Sequence, residues 1–170
     1  MKKKIETKNY VILLFIIVIT ALAVFYARSW YITGQEYRDN NSIMTSVVSQ
    51  ISEDEITNCL SENPNAVIYA SSLENHDVKT FEKNFKKLIN KYNLSEQLLY
   101  VNLDVSSDSF VETLKSFAKN PDVSDKVSNT YANLYIFKDG KLDEVLVNVN
   151  ALGIKQIEKL LKEYGVIDGE

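Results

Sequence analysis

Few side chains in this sequence are of the types that attack, shuttle protons or hold metals, and that scarcity narrows its chemistry. The 170 residues contain one cysteine, Cys59, and one histidine, His76. Cys59 follows Ile56 by three residues and precedes Leu60 by one, so it falls on the inward stripe of a short predicted helix. A free cysteine there acts as a small buried hydrophobe. It is also the only nucleophilic sulfur, so it stands as the candidate thiol for a mixed disulfide or a modification. With no second cysteine, no intrachain disulfide forms. His76 sits just ahead of a predicted helix, flanked by Glu74 and Asp77. One imidazole with two acids lacks the second His or Cys that a zinc site needs. Asn75 or Asp77 as a helix cap accounts for the same residue types. There is no nucleophile elbow for a Ser-His-Asp set. The five glycines form neither GxGxxG nor a P-loop. The acid pairs Asp54-Glu55 and Asp143-Glu144 read as helix-start and exposed strand charges. No catalytic set, metal or cofactor is implied.

The elements that would position these residues begin with an apolar run, Tyr10 to Ala27 (YVILLFIIVITALAVFYA). As a helix it covers about 27 Å, just enough for a bilayer core of about 30 Å. Lys2, Lys3, Lys4 and Lys8 precede it, and Arg28 is the only cation close behind. The positive-inside rule keeps the N-terminus cytoplasmic and exports the rest. Tyr10, Tyr26, Trp30 and Tyr31 suit the headgroup regions. Ala21-Leu22-Ala23 also resembles a signal-peptide cleavage site, but the apolar stretch continues through Val24, Phe25 and Tyr26, as an uncleaved anchor requires. Either reading exports the domain. The expected organisation is a basic tail over 1–9, a transmembrane helix over 10–28, a linker or stalk over 29–43 and a domain over 44–170. From residue 29 on, 14 Lys and Arg face 22 Asp and Glu, a net charge of −8. Such an acidic segment repels phosphate backbones, which argues against nucleic acid.

In the domain, Met44–Ile51 is expected to be a strand. Ser52 and Glu55 form a capping box for a short helix with Ile56, Cys59 and Leu60 inward, stopped at Asn63-Pro64-Asn65. Ala66–Ala70 is a strand buried on both faces. After a polar turn, Ser71–Asp77, a long helix spans about Val78–Tyr92. Phe81, Phe85, Leu88, Ile89 and Tyr92 form its apolar stripe, and Lys79, Glu82, Lys83, Lys86 and Lys87 its solvated face. Leu98–Leu103 is a strand and Asp108–Ala118 a helix broken by Asn120-Pro121-Asp122. Asn133–Phe137 and Leu142–Val149 form an antiparallel hairpin around Asp139-Gly140, a type I′ signal. A final helix carries Ile154, Ile157, Leu160, Leu161 and Tyr164 and ends at Gly165. The order β-α-β-α-β-α-β-β-α predicts an α/β domain with a mixed five-stranded sheet flanked by helices. The helix-separated strands are expected to be parallel, joined by right-handed crossovers.

The segment Asn133–Lys141, NLYIFKDGK, resembles the thioredoxin stretch that opens after a cis-proline and ends in Phe-Lys-Asp-Gly. Val67-Ile68-Tyr69-Ala70, a polar turn and a helix with Phe81-Glu82 are similar to the strand and helix flanking the thioredoxin redox motif. The chain from about Met44 to Glu170 thus resembles thioredoxin-like proteins, in particular membrane-anchored ones related to bacteriocin-transport accessory proteins. The departures bear on function. The resemblance puts the CxxC cysteines near Asn75 and Val78, and neither is cysteine. It puts the cis-proline at Ala132, where a trans bond is expected. Thiol–disulfide exchange needs an attacking thiolate and generally a second thiol for release. The family's redox activity therefore does not carry over.

What the resemblance leaves is a groove for extended polypeptide between the turn after the second strand and the loop before the fourth. Here that groove would be formed by Ser72, Glu74, Asn75 and His76 on one side and Tyr131 and Ala132 on the other, with Tyr131 projecting. The leading expectation is an exported, membrane-held, non-redox module that binds a protein or peptide, with residues 10–28 in lipid. Two rivals remain open: a one-cysteine thiol–disulfide oxidoreductase acting through Cys59, and a structural subunit of a membrane assembly.

Overall fold

Val67–Ser71 (β2) is buried at every residue, because it is the middle strand of a five-stranded sheet whose order is Ser49–Gln50 (β1), Leu98–Asn102 (β3), β2, Asn133–Lys138 (β4), Lys141–Leu146 (β5). A computed structural model describes residues 7–40, 42–72, 76–106 and 109–168, without the side chains of 7, 8, 31–40 and 76. It divides into two compact units, residues 1–40 and 41–170. The first is one helix, α1 (Thr7–Asn40). Its segment Asn9–Trp30 is long and apolar enough to cross a membrane, and its apolar side chains are exposed along that whole length.

The second unit contains β1 (Ser49–Gln50), α2 (Ile56–Glu62), β2, α3 (His76–Tyr92), β3 (Leu98–Asn102), α4 (Ser109–Ser116), α5 (Pro121–Asp125), β4 (Asn133–Lys138), β5 (Lys141–Leu146) and α6 (Ile154–Glu163). The mixed sheet flanked by helices is as expected. Side chains alternate across β2: Val67 and Tyr69 join the core under α3 and α6, while Ile68 and Ala70 join the one under α2, α4 and α5. In the first core Tyr69 packs on Phe85 with ring centroids 5.4 Å apart, and Phe81 stacks on Phe85 at 5.3 Å.

Four expectations are corrected. Met44–Ile51 is not one strand. A 3-10 turn over Met44–Ser46 precedes the two-residue β1. The hydroxyls of Thr45 and Ser46 donate back to the carbonyls of Ser42 and Ile43, at 2.8 and 2.6 Å, and such local bonds compete with a sheet ladder. Met44 and Val48 meanwhile bury one turn apart. Second, β1, β3 and β2 are mutually parallel, but β4 runs antiparallel to β2. The crossover rule governs parallel β-α-β units. The two helices over 103–132 instead bring the chain back to the end of the sheet at which β3 finished, where Ala70 lies opposite both Val101 and Asn133. Third, Asn120-Pro121-Asp122 starts a helix as well as ending one. Asn120 Oδ1 accepts from Val123 N at 2.9 Å and Pro121 occupies the first turn of α5, where its missing N–H is harmless. Fourth, the last strand stops at Leu146, since Asn148 turns left-handed at φ 54°.

The hairpin follows its sequence signal. Asp139 and Gly140 take φ of 51° and 74°, the positive values a type I′ turn needs. The outer edge of β5 is covered at Leu142, whose N donates to Phe117 O at 2.8 Å and whose O accepts from Lys119 N at 3.1 Å.

Candidate functional site

The antiparallel pairing of β2 and β4 sets Ala70 opposite Asn133. The turn leaving β2 and the loop reaching β4 therefore lie at one end of the sheet. Of the groove residues predicted from sequence, Ser72 is half-buried and donates its hydroxyl to Asp104 Oδ1. Glu74 and Asn75 lie outside the described residues. His76 is the first residue of α3, with its side chain outside the description.

On the other side, Tyr131 is 51% exposed and Ala132 is 2% exposed. No cis peptide occurs among the described residues. The loop carrying Tyr131 is held by groups that sequence reasoning passed over. Asn133 is fully buried. Its Nδ2 donates to Ser128 O at 2.9 Å and to the Tyr135 hydroxyl at 3.2 Å, and its Oδ1 accepts from Asn148 N at 2.9 Å. The Tyr135 hydroxyl donates to the same Ser128 carbonyl. Val149 N donates to Ala132 O at 2.8 Å. Asn133 thus joins the loop before β4 to the segment after β5.

That segment forms one wall of an open groove of about 550 Å³, against the first turns of α3. Thr80, Phe81 and Asn84 line the α3 side, and Asn148, Asn150 and Leu152 the other. Asn150 Oδ1 is buried with no hydrogen-bond partner. Amide and hydroxyl groups above a partly apolar floor suit the alternating donors and acceptors of an extended backbone. Among the groove-lining residues there is no thiol and no histidine.

Glu82 corrects the sequence reading, which put it on a solvated face. It is fully buried. Oε1 accepts from Ser71 Oγ at 2.9 Å and from the Tyr69 hydroxyl at 3.3 Å, and Oε2 accepts from Ser42 Oγ at 3.2 Å. Burial pushes its carboxyl above the usual value, against the opposing pull of the Ser71, Ser42 and Tyr69 hydrogen bonds and of Ile43 N. Burial, then Glu82, likewise pushes the Tyr69 phenol well up. The signal was present: 78, 82, 85 and 89 follow helical spacing, which sets Glu82 on the apolar stripe.

Cys59 is half-buried on α2 and packs against the core under α2, α4 and α5. That is the sheet face opposite α3. Burial first, then the charges of Glu55 and Glu62, raise its thiol pKa, which lowers the thiolate fraction available for attack. No group of three or more His, Cys, Asp or Glu side chains placed to hold a metal ion occurs among the described residues.

A central β2 between parallel β3 and antiparallel β4, a closing hairpin and helices on both faces define a thioredoxin-like fold. Thioredoxin f2 of Chlamydomonas reinhardtii superposes with a TM-score of 0.52 at 11% identity, covering 69% of this chain and 95% of that one. Mitochondrial thioredoxin 3 of Saccharomyces cerevisiae, in its oxidized form, gives 0.50 at 18% identity, covering 71% and 97%. No protein-family model matches the chain, and no curated protein matches it.

Proposed function

We propose that the protein is a single-pass membrane protein whose exported thioredoxin-like domain binds an extended protein segment and performs no thiol–disulfide exchange. The observation that carries this reading is the separation of thiol from groove. The lone thiol is half-buried on α2 with a raised pKa, while the groove between α3 and the segment after β5 lies on the other face of the sheet. The span Asn9–Trp30 supports the anchor. The basic residues before it support export of the domain. Tyr131, exposed on a braced loop, is the aromatic contact, and backbone pairing in the groove supplies the remaining affinity. The resemblance to bacteriocin-transport accessory proteins is consistent with a role in secretion or at the cell envelope.

A photo-crosslinking amino acid at position 131 of the full chain, in native membranes, is the direct test. One discrete adduct whose yield drops when Asn84 and Asn150 are changed to Asp supports peptide binding. A smear of abundant neighbours, unchanged by those substitutions, rejects it. In the same membranes, reduction of a model disulfide should not exceed background, and Cys59→Ser should change nothing. A Cys59-dependent reductase signal would restore the oxidoreductase reading.

A further inference from the structure

The sheet separates charge. On one face, α3 and α6 carry eight lysines against four acids, and one of those acids, Glu82, is buried. On the other face, α2 with the 3-10 turn before it, α4 and α5 carry seven acids against one lysine. A domain that is acidic overall therefore has one basic side.

The two helices make that side continuous. Lys91 Nζ lies 2.7 Å from Glu158 Oε1 and the Tyr92 hydroxyl donates to the same oxygen, which fastens α3 to α6. Lys83 and Lys87 on α3 and Lys155 and Lys159 on α6 are exposed, one turn apart on each helix, so they point away from the sheet. Lys86 marks a second feature of this side. Its Nζ donates to Ser46 Oγ at 2.9 Å, and Ser42 is bonded to Glu82. Ser42 and Ser46, before β1, are thus held against α3 in the lysine-bearing layer.

We propose that the α3–α6 face is a docking surface for anionic lipid headgroups. The inference rests on the membrane-anchored reading above and adds an orientation for the domain. Charge complementarity identifies the occupant as anionic, and the membrane-length span in the same chain favours lipid over a soluble acidic protein. A domain tethered by a span in its own chain stays at high local concentration beside the bilayer, so its basic face meets headgroup charge, which acts over about 8 Å at physiological salt. The acidic face then points outward.

The test uses the full chain in nanodiscs of phosphatidylcholine alone, or with roughly a third phosphatidylglycerol. Acetylation rates of individual lysines are read by mass spectrometry. Lys83, Lys87, Lys155 and Lys159 should react several-fold more slowly in the anionic discs and recover at high salt. Lys115 and Lys138, off this face, should react alike in both. A variant carrying Lys83→Glu, Lys87→Glu and Lys159→Glu, all at exposed positions, should show no difference in Lys155 between the discs. Equal rates in both discs for the four lysines overturn the proposal, as does equal protection in both, which would mark a non-lipid partner. Retention of the chain on discs washed in high salt reports anchoring separately. Retention with equal rates removes the docking face alone, and loss from the discs removes the anchor.

Discussion

At the scale of single residues, Glu82 makes the domain's stability depend on pH. Below its ordinary value of 4.5 the carboxyl is protonated in both folded and unfolded chains and carries no penalty. As the pH rises from there through the higher folded value, ionising the buried group costs more than ionising the exposed one, so stability is lost. Glu82→Gln removes that term. The urea midpoint of the wild type, measured relative to the variant, should fall between pH 4.5 and 7.5. A constant difference across that range would show that the carboxyl is not destabilised by its burial. Asn133 is the second such residue. Asn133→Ala leaves the Ser128 carbonyl with one bond fewer and Asn148 N without its acceptor. The cost should be about 1–3 kcal/mol for buried polar groups left unpaired. Amide exchange over 128–132 should accelerate with it, because the loop carrying Tyr131 loses its brace. Denaturant melts with exchange mass spectrometry separate the two effects.

At the scale of elements, local rules and long-range pairing had different reach. The 139–140 turn depends on positive φ at two residues, which Asp-Gly announces in the chain itself. A Cβ at Gly140 meets nothing within 4 Å. Gly140→Ala therefore tests the backbone alone and should cost about 1–3 kcal/mol in a thermal melt. The long α3 was equally legible, since its apolar residues recur at helical spacing. Only the polarity of Glu82 hid its membership of the stripe. The direction of β4 was not legible. It depends on how α4 and α5 return the chain to the sheet, and no residue in 103–132 encodes that locally. The first strand failed for another reason. Serine and threonine at 42, 45 and 46 satisfied backbone and side-chain groups within one turn, while hydrophobicity alone suggested extension. The groove beside α3 was not legible: Ser72, Tyr131 and Ala132, which the family pattern pointed to, do not line it, and the asparagines at 84, 148 and 150 meet only after the fold closes.

At the scale of the whole molecule, the chain combines a span with no packing partner in its own unit and a domain whose two faces differ in charge. Orientation of the span decides what that domain can meet. Four lysines precede Tyr10 and two arginines, Arg28 and Arg38, follow Ala27 within the short flanks that set topology, so the bias is toward a cytoplasmic N-terminus. Reversing it is a direct experiment. Lys2, Lys3, Lys4 and Lys8 changed to Glu, together with Arg placed at Ser29 and Gln35, should invert or randomise the chain. Protease added to right-side-out vesicles should digest residues 42–170 of the wild type and spare a large fraction of the variant. N-terminal mass measurement of the undigested wild type should find the segment through Ala27 intact, since the apolar run continues past the Ala21-Leu22-Ala23 sequence. A mature chain starting after Ala23 would convert the protein from anchored to released. The lysine face of α3 and α6 would then have no bilayer held beside it, and docking would have to rely on charge alone, in competition with salt.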